Sequence, residues 1–327
     1  MRTDIALICF SFLFSATSLL AEWEAIPESS PSVLTNGATG WGFTVSAKGQ
    51  NLTLLKYLDG AGTLDLSNVE KDTGYKVTGV GDSTFSGNAS LTQLIAPDVV
   101  TTGFSSFSNC KSVTNITLSS ALQTIGRSCF SGCSKLKSFS PLNMPNLTSL
   151  GMYGFKSCGA LNVDMRMPLI TLIPSQSFIS SGITSLYAPL VTKVEGSAFQ
   201  TASKLTNVVI NSTSTIEIGA FLKIGSGANI YWLGKKAPTS IKKNSLSASG
   251  NRLCVYVRNG KDIENWKRYC VELRGDENFS AYLAAADCPD NRENPEPVVG
   301  ILGIADGGVN AWLAHWSLDN PTLLTIR

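Results

Sequence analysis

The chain has 327 residues, 43% of them hydrophobic and only 15% charged, with a formal net charge of +2. That is apolar enough for a packed interior, and the charge is too sparse for a disordered chain or a nucleic-acid binder recognised by composition. A single histidine removes the nucleophilic triads and histidine-ligated zinc sites on which many hydrolases depend.

Residues 1–21 read as a signal peptide. Arg2 supplies the positive end, weakened by Asp4; residues 5–14 form a mostly apolar run, and small residues lead to a cut between Ser18 and Ala21. A retained anchor would need about twenty apolar residues, and no later stretch supplies them. The expected protein is therefore secreted or on the cell surface, with no transmembrane span in the mature chain. Residues 318–322 (Leu-Asp-Asn-Pro-Thr) have the outline of a cell-wall sorting signal but lack the apolar stretch and basic tail that should follow.

Residues 22–76 form no repeat and read as an N-terminal β cap. Alternation at 41–45, 52–55 and 63–66 predicts three short strands. Their physical task would be to cover the open edge of the array that follows.

Residues 77–224 repeat. Phe85, Phe107, Phe130, Phe155, Phe178, Phe199 and Phe221 are spaced by 22, 23, 25, 23, 21 and 22 residues. Apolar residues recur eight and five places before each phenylalanine, and again about six and nine places after it. A unit of about 23 residues contributes some five apolar anchors, which it cannot bury alone but can bury by stacking. The alternation is too quick for helices, and pieces such as Leu94-Ile95-Ala96 read as short parallel strands. At about 4.8 Å per coil, seven coils would extend roughly 33 Å. The phenylalanines are the expected interior spine. Gly81, Gly103, Gly126 and Gly151 fall in one column and are read as turn residues. Cys110, Cys133 and Cys158 each lie three places after a phenylalanine, in a column otherwise filled by Asn88, Ser181 and Ala202. Small size is the apparent requirement there, and a ladder of buried thiols is expected.

The best copy of the unit is Ile125-Gly126-Arg127-Ser128-Cys129-Phe130-Ser131-Gly132-Cys133-Ser134-Lys135-Leu136. In this phrase the chain resembles the BspA-type leucine-rich repeat family, found mostly among bacterial secreted and surface proteins. The resemblance implies a β-rich solenoid of right-handed, parallel stacked coils with a small β N-cap and a strand-plus-helix C-cap. It also implies interaction at the cell surface, with host proteins or other bacteria.

Residues 225–275 read as the C-terminal cap, with closing strands near 230–234 and 254–257. A helix is expected at 262–273, started by Asp262 and burying Ile263, Trp266 and Cys270. A Cys254–Cys270 disulfide is reasonable. Residues 235–274 hold ten basic and three acidic side chains, whereas 276–296 hold six acidic and one basic, read as solvated faces or linker. Residues 276–299 are the expected linker. Residues 300–327 are too short to fold alone, and either dock on the array as strands or begin a module. Arg274-Gly275-Asp276 reads as a chance match to an adhesion tripeptide, and His315 as a half-buried strand residue.

No catalytic residue, metal site or cofactor is expected, since the carboxylates Asp82, Asp98, Asp164, Glu195 and Glu217 occupy different columns. The leading expectation is a protein-binding or adhesion module whose partner is a protein or other cell-surface macromolecule. Lys135, Lys137, Arg166 and Tyr187, which lie between the anchors of different coils, are the candidate contacts. A structural spacer in a larger surface assembly is the alternative, and a secreted enzyme with an unrecognised catalytic part comes third.

Overall fold

The computed structural model describes residues 23–25, 32–210, 215–225 and 228. Beyond these it describes only strand backbone, at 26, 229–232, 240–241, 252–257, 281–283, 298–304 and 314–315. The expected signal peptide, the 262–273 helix, the Cys254–Cys270 pair and Arg274-Gly275-Asp276 lie outside the described side chains.

The chain opens with an antiparallel meander: β1 (Trp23–Ile26), β2 (Val33–Asn36), β3 (Gly42–Lys48) and β4 (Asn51–Asp59). Then follow β5 (Gly62–Asp65), the short helix α1 (Val69–Thr73) and β6 (Lys76–Val80). The first two strands and α1 are additions to the three strands expected. β4 pairs in parallel with β6, and β5 pairs in parallel with β7 (Leu91–Ala96). The meander thus ends in strands that extend both parallel sheets of the array, leaving neither first edge bare. Trp41 is buried within it; its Nε1–H donates to Thr63 O at 2.9 Å, and Gly60 passes beneath its ring. A Cβ on Gly60 would lie 2.4 Å from that ring, and its φ of +125° independently requires glycine there.

Each coil then contributes one longer and one two-residue strand. In chain order these are β8 (Thr101–Thr102), β9 (Asn115–Leu118), β10 (Thr124–Ile125), β11 (Ser138–Ser140) and β12 (Ser149–Leu150). They continue with β13 (Asp164–Arg166), β14 (Leu172–Ile173), β15 (Ser185–Ala188), β16 (Lys193–Val194), β17 (Asn207–Ile210) and β18 (Thr215–Ile216). The last are β19 (Asn229–Trp232), β20 (Ser240–Ile241), β21 (Arg252–Val257), β22 (Ala281–Leu283), β23 (Val298–Ile304) and β24 (Ala314–His315). Repeat strands pair in parallel and in register, so that Leu94 faces Ile116 and Ile116 faces Phe139. β23 runs antiparallel to β21, and β22 and β24 pair with β23.

The result is a β-solenoid of about seven turns, and its interior is the column the spacing predicts. The seven phenylalanines are all buried. Successive rings from Phe85 to Phe221 stack at centroid distances of 5.1 to 5.6 Å, with interplanar angles of 3° to 24°. Each buried phenylalanine contributes about 1.5–3 kcal/mol by transfer from water, and each ring pair about 0.5–1.5 kcal/mol more. The stack starts in the cap, where Phe43 meets Phe85 edge-on at 5.5 Å.

Two findings were not legible in the repeat. The first is backbone hand. Eleven non-glycine residues have φ between 50° and 62°, and all fall two places before or two places after a spine phenylalanine. Ser83, Ser105, Ser128, Tyr153, Gln176 and Ser197 make up the first column, completed by Gly219; Gly87 and Gly132 fill part of the second. Two left-handed residues per coil turn the chain sharply enough to drive one ring inward. Cross-coil hydrogen bonds hold them there, as Ser105 N–H donates to Arg127 O at 2.8 Å and Ser128 N–H to Met152 O at 2.8 Å.

The second is a correction. Gly81, Gly103, Gly126 and Gly151 are not glycine for backbone freedom, because none has a left-handed φ. They are glycine because coils touch there. A Cβ on Gly126 would lie 2.2 Å from Gly103 O, and one on Gly151 2.3 Å from Arg127 N.

Both sheet ladders lapse once, between the coil of β11 and β12 and the coil of β13 and β14. The cause is the longest unit, 25 residues from Phe130 to Phe155. Its extra length, with Pro141 unable to donate to a ladder, displaces the strand. A narrow stitch remains: Arg166 N–H donates to Leu142 O at 2.7 Å and Met144 N–H to Arg166 O at 2.8 Å.

Candidate binding surface

Alternation along the longer strands sends Leu94, Ile116, Phe139, Met165, Leu186 and Val208 into the core. The intervening residues face out in two columns. One holds Asp164, Ser185 and Asn207; the other holds Arg166, Tyr187 and Val209 in direct register. The Arg166 guanidinium carbon lies 4.7 Å from the Tyr187 ring centroid. Both side chains are half-buried, so the cation is held over an aromatic face at the surface. In the neighbouring column Asp164 Oδ1 accepts from Thr184 Oγ1 at 2.5 Å and from Ser185 Oγ at 2.7 Å.

Of the four candidates, the structure brings Arg166 and Tyr187 together. Lys135 and Lys137 are exposed in the turn and strand entry one coil earlier, across the lapse in the ladders, and no hydrogen bond or ion pair joins them to the other two. Asp164 and Val209 complete the outward surface and were missed, although in-register parallel pairing would have placed them beside the chosen residues.

Elsewhere charges are spent internally. Lys193 Nζ lies 3.0 Å from Glu217 and 3.2 Å from Glu195, and these hydrogen bonds, Glu217's first, raise the Lys193 pKa. The Glu195 carboxylate also accepts from Ser175 N–H at 3.0 Å, and Glu217 from Gly196 N–H at 3.2 Å. Among the described residues no group of three histidine, cysteine, aspartate or glutamate side chains converges to hold a metal ion, and no helix is long and apolar enough to cross a membrane.

Cys110, Cys129, Cys133 and Cys158 are free and buried. The ladder column does more than stay small. The Cys110, Cys133 and Cys158 thiols donate to Phe85 O, Phe107 O and Phe130 O at 3.0, 3.0 and 3.1 Å, each reaching back one coil. Burial pushes Cys129 and Cys158 up from 9.0 to about 12. Above pH 9 the unfolded chain therefore releases protons that the folded chain keeps. Stability should be unaffected by these thiols below that pH and fall as pH rises toward 12, by about 1 kcal/mol per pH unit for each thiol. Urea midpoints measured from pH 8 to 11 check this, with the Cys158→Ala variant showing the shallower fall.

A sequence profile of the BspA type leucine rich repeat region matches residues 62–184 and 138–253, in six copies. No curated protein matches the chain. Among solved structures, a leucine rich cell surface protein of Faecalibacterium prausnitzii A2-165 is similar at 22% identity and a TM-score of 0.49, over 65% of this chain and 57% of that one. A leucine-rich repeat protein of Bacteroides ovatus ATCC 8483 gives 22% identity and a TM-score of 0.46, over 58% and 57% of the two chains. The pneumococcal vaccine antigen PcpA gives 15% and 0.30, over 73% and 96%. The alignment thus spans 57% of the length of each of the first two.

Proposed function

Because the chain belongs to the BspA-type leucine-rich repeat family, we propose that it is an exported binding protein that docks partner proteins on the outward face of its longer strands. The observation that carries this reading is the Arg166–Tyr187 pair at 4.7 Å. Arginine and tyrosine are among the side chains that most often dominate interface energetics. A guanidinium already laid on a ring loses little freedom when a partner arrives, so less of the binding energy goes into ordering it. Thr117 on one side of the lapse and Val209 on the other extend the same outward surface along the stack. The apolar run and cleavage region of residues 1–21 support export, and membership of the family supports a place at the cell surface.

The double variant Arg166→Ala/Tyr187→Ala tests the reading. Its binding to proteins on intact host or bacterial cells should weaken more than tenfold, the loss of about 2 kcal/mol expected of a centre of binding energy. The melting temperature should not change, since neither side chain enters the core. Wild-type binding by the double variant would refute this surface.

A further inference from the structure

Residues 99–163 carry five cations, Lys111, Arg127, Lys135, Lys137 and Lys156, and no carboxylate at all. None of the five takes part in the ion pairs found among the described residues, which use Lys76 and Lys193. Four of them occupy one side of the solenoid, the turn segments around the spine: Arg127 three places before Phe130, Lys156 one place after Phe155, Lys111 and Lys135 four and five places after theirs. These turns sit directly on one another, as Gly132 N–H donates to Lys156 O at 2.8 Å.

Tyr153 lies at the centre of this group with φ of 62°. A bulky side chain in the left-handed region costs about 1–3 kcal/mol and marks a position worth explaining. Its column elsewhere holds serine, glutamine or glycine. Both the Arg127 guanidinium, at 5.7 Å, and the Lys156 ammonium, at 5.1 Å, lie over its ring. Phe104, 48% exposed, stands one coil before Arg127 in the same column. The two following coils have Ser175 and Gln176, then Gly196 and Ser197, at these positions, with neither charge nor ring.

We propose that the turn side of the coils built on Phe107, Phe130 and Phe155 binds an acidic polysaccharide, a polymer of sugars bearing carboxylate or sulfate groups. Cations repeated along the stacking axis match negative charge repeated along a polymer, and with no carboxylate among these residues their charge is not neutralised within the coils. The exposed Phe104 ring provides a flat apolar face for sugar C–H groups, the half-buried Tyr153 ring holds two of the cations in place, and the serines between them provide hydroxyl hydrogen bonds. Single-stranded nucleic acid fits less well, because it takes a succession of stacking rings, and this patch has two. The site is a second surface, separate from the longer strands, and does not rest on the Arg166–Tyr187 reading.

The test uses the full chain with heparin, hyaluronan, neutral dextran and a single-stranded DNA oligonucleotide at low ionic strength. Heparin or hyaluronan should bind, with affinity falling as salt rises, and dextran should not. Lys111→Glu/Lys135→Glu should weaken that binding at least tenfold. Tyr153→Gly alters no charge and removes the backbone strain, so it should weaken binding at least threefold with no drop in melting temperature. Arg166→Ala/Tyr187→Ala should leave polysaccharide affinity unchanged, which separates this site from the protein-docking face. Absence of binding to both acidic polymers, tighter binding to DNA than to either, or wild-type affinity in Tyr153→Gly would each overturn the proposal.

Discussion

Replacing Phe130 by alanine is expected to destabilise the array by about 3–5 kcal/mol and to divide its unfolding into two transitions. The ring lies between Phe107 at 5.4 Å and Phe155 at 5.2 Å, and meets the edge of Phe139 at 5.4 Å. The cavity cannot close by drawing the neighbours together. Phe107 N–H is bonded to Cys129 O at 2.9 Å, and Phe130 N–H to Gly154 O at 2.9 Å, so the backbone holds the coils at their spacing. The cost should accordingly lie toward the upper end. In a stack whose units meet only their neighbours, weakening one contact uncouples the coils on either side. Hydrogen exchange of the amides before and after Phe130 reports on the two halves separately, while circular dichroism reports on the whole. Phe221→Ala, at the last spine ring, should cost less and keep a single transition. A loss below about 1 kcal/mol for Phe130→Ala, with one coincident transition, would contradict this account.

Gly126→Ala is the smallest substitution with a large expected effect. Alanine would suit the backbone there, since φ is not left-handed; the objection is purely one of space. The added carbon would lie 2.2 Å from Gly103 O and 2.4 Å from Gly103 C, both backbone atoms of the preceding coil. Neither can swing aside as a side chain would, so the two coils must separate and their ladder must stretch. About 3 kcal/mol is expected, the upper range for overpacking. Gly87→Ala is the informative comparison. Its φ is +73° but no atom lies within 4 Å of the added carbon, so it should lose only about 1 kcal/mol. Urea denaturation of the two variants checks the order, and equal losses would mean that backbone hand, not contact, governs the column.

The spine and the paired strands were legible because burial imposes apolar identity at fixed spacing, and a repeat multiplies the signal. The left-handed columns were not. Serine, asparagine, tyrosine, glutamine, threonine and lysine fill them as well as glycine, because in ten of the eleven non-glycine cases a hydrogen bond from the left-handed residue to the next coil offsets the usual dependence on a missing Cβ. Only Gly87, Gly132 and Gly219 hinted at it. The glycine column was visible, but sequence alone does not tell a turn from a contact. β1 and β2 escaped because two four-residue strands carry too little alternation to stand out.

For the binding surface, sequence identified variable polar positions but not their partners. Arg166 comes 11 residues after Phe155 and Tyr187 only 9 after Phe178. Counting from the phenylalanines therefore separates them by two columns, whereas the backbone places them side by side. Thr117 and Val209 each stand 10 residues after their phenylalanines, so one extra residue after Phe155 and one fewer after Phe178 create the mismatch, and irregular lengths are what a column-by-column reading averages away.

The lapse in the sheet ladders also bears on how the protein carries load. Between the coil of β11 and β12 and the coil of β13 and β14, both sheets stop, yet the turn side continues without a break, with Phe130 N–H on Gly154 O and Phe155 N–H on Ser177 O at 2.9 and 2.7 Å. The rings run through as well, Phe130 to Phe155 to Phe178. A pull along the axis therefore meets two stiff blocks fastened along one side and only lightly stitched on the others. Such a rod should bend most readily at this junction, hinging about the continuous turn side, while each block keeps its shape.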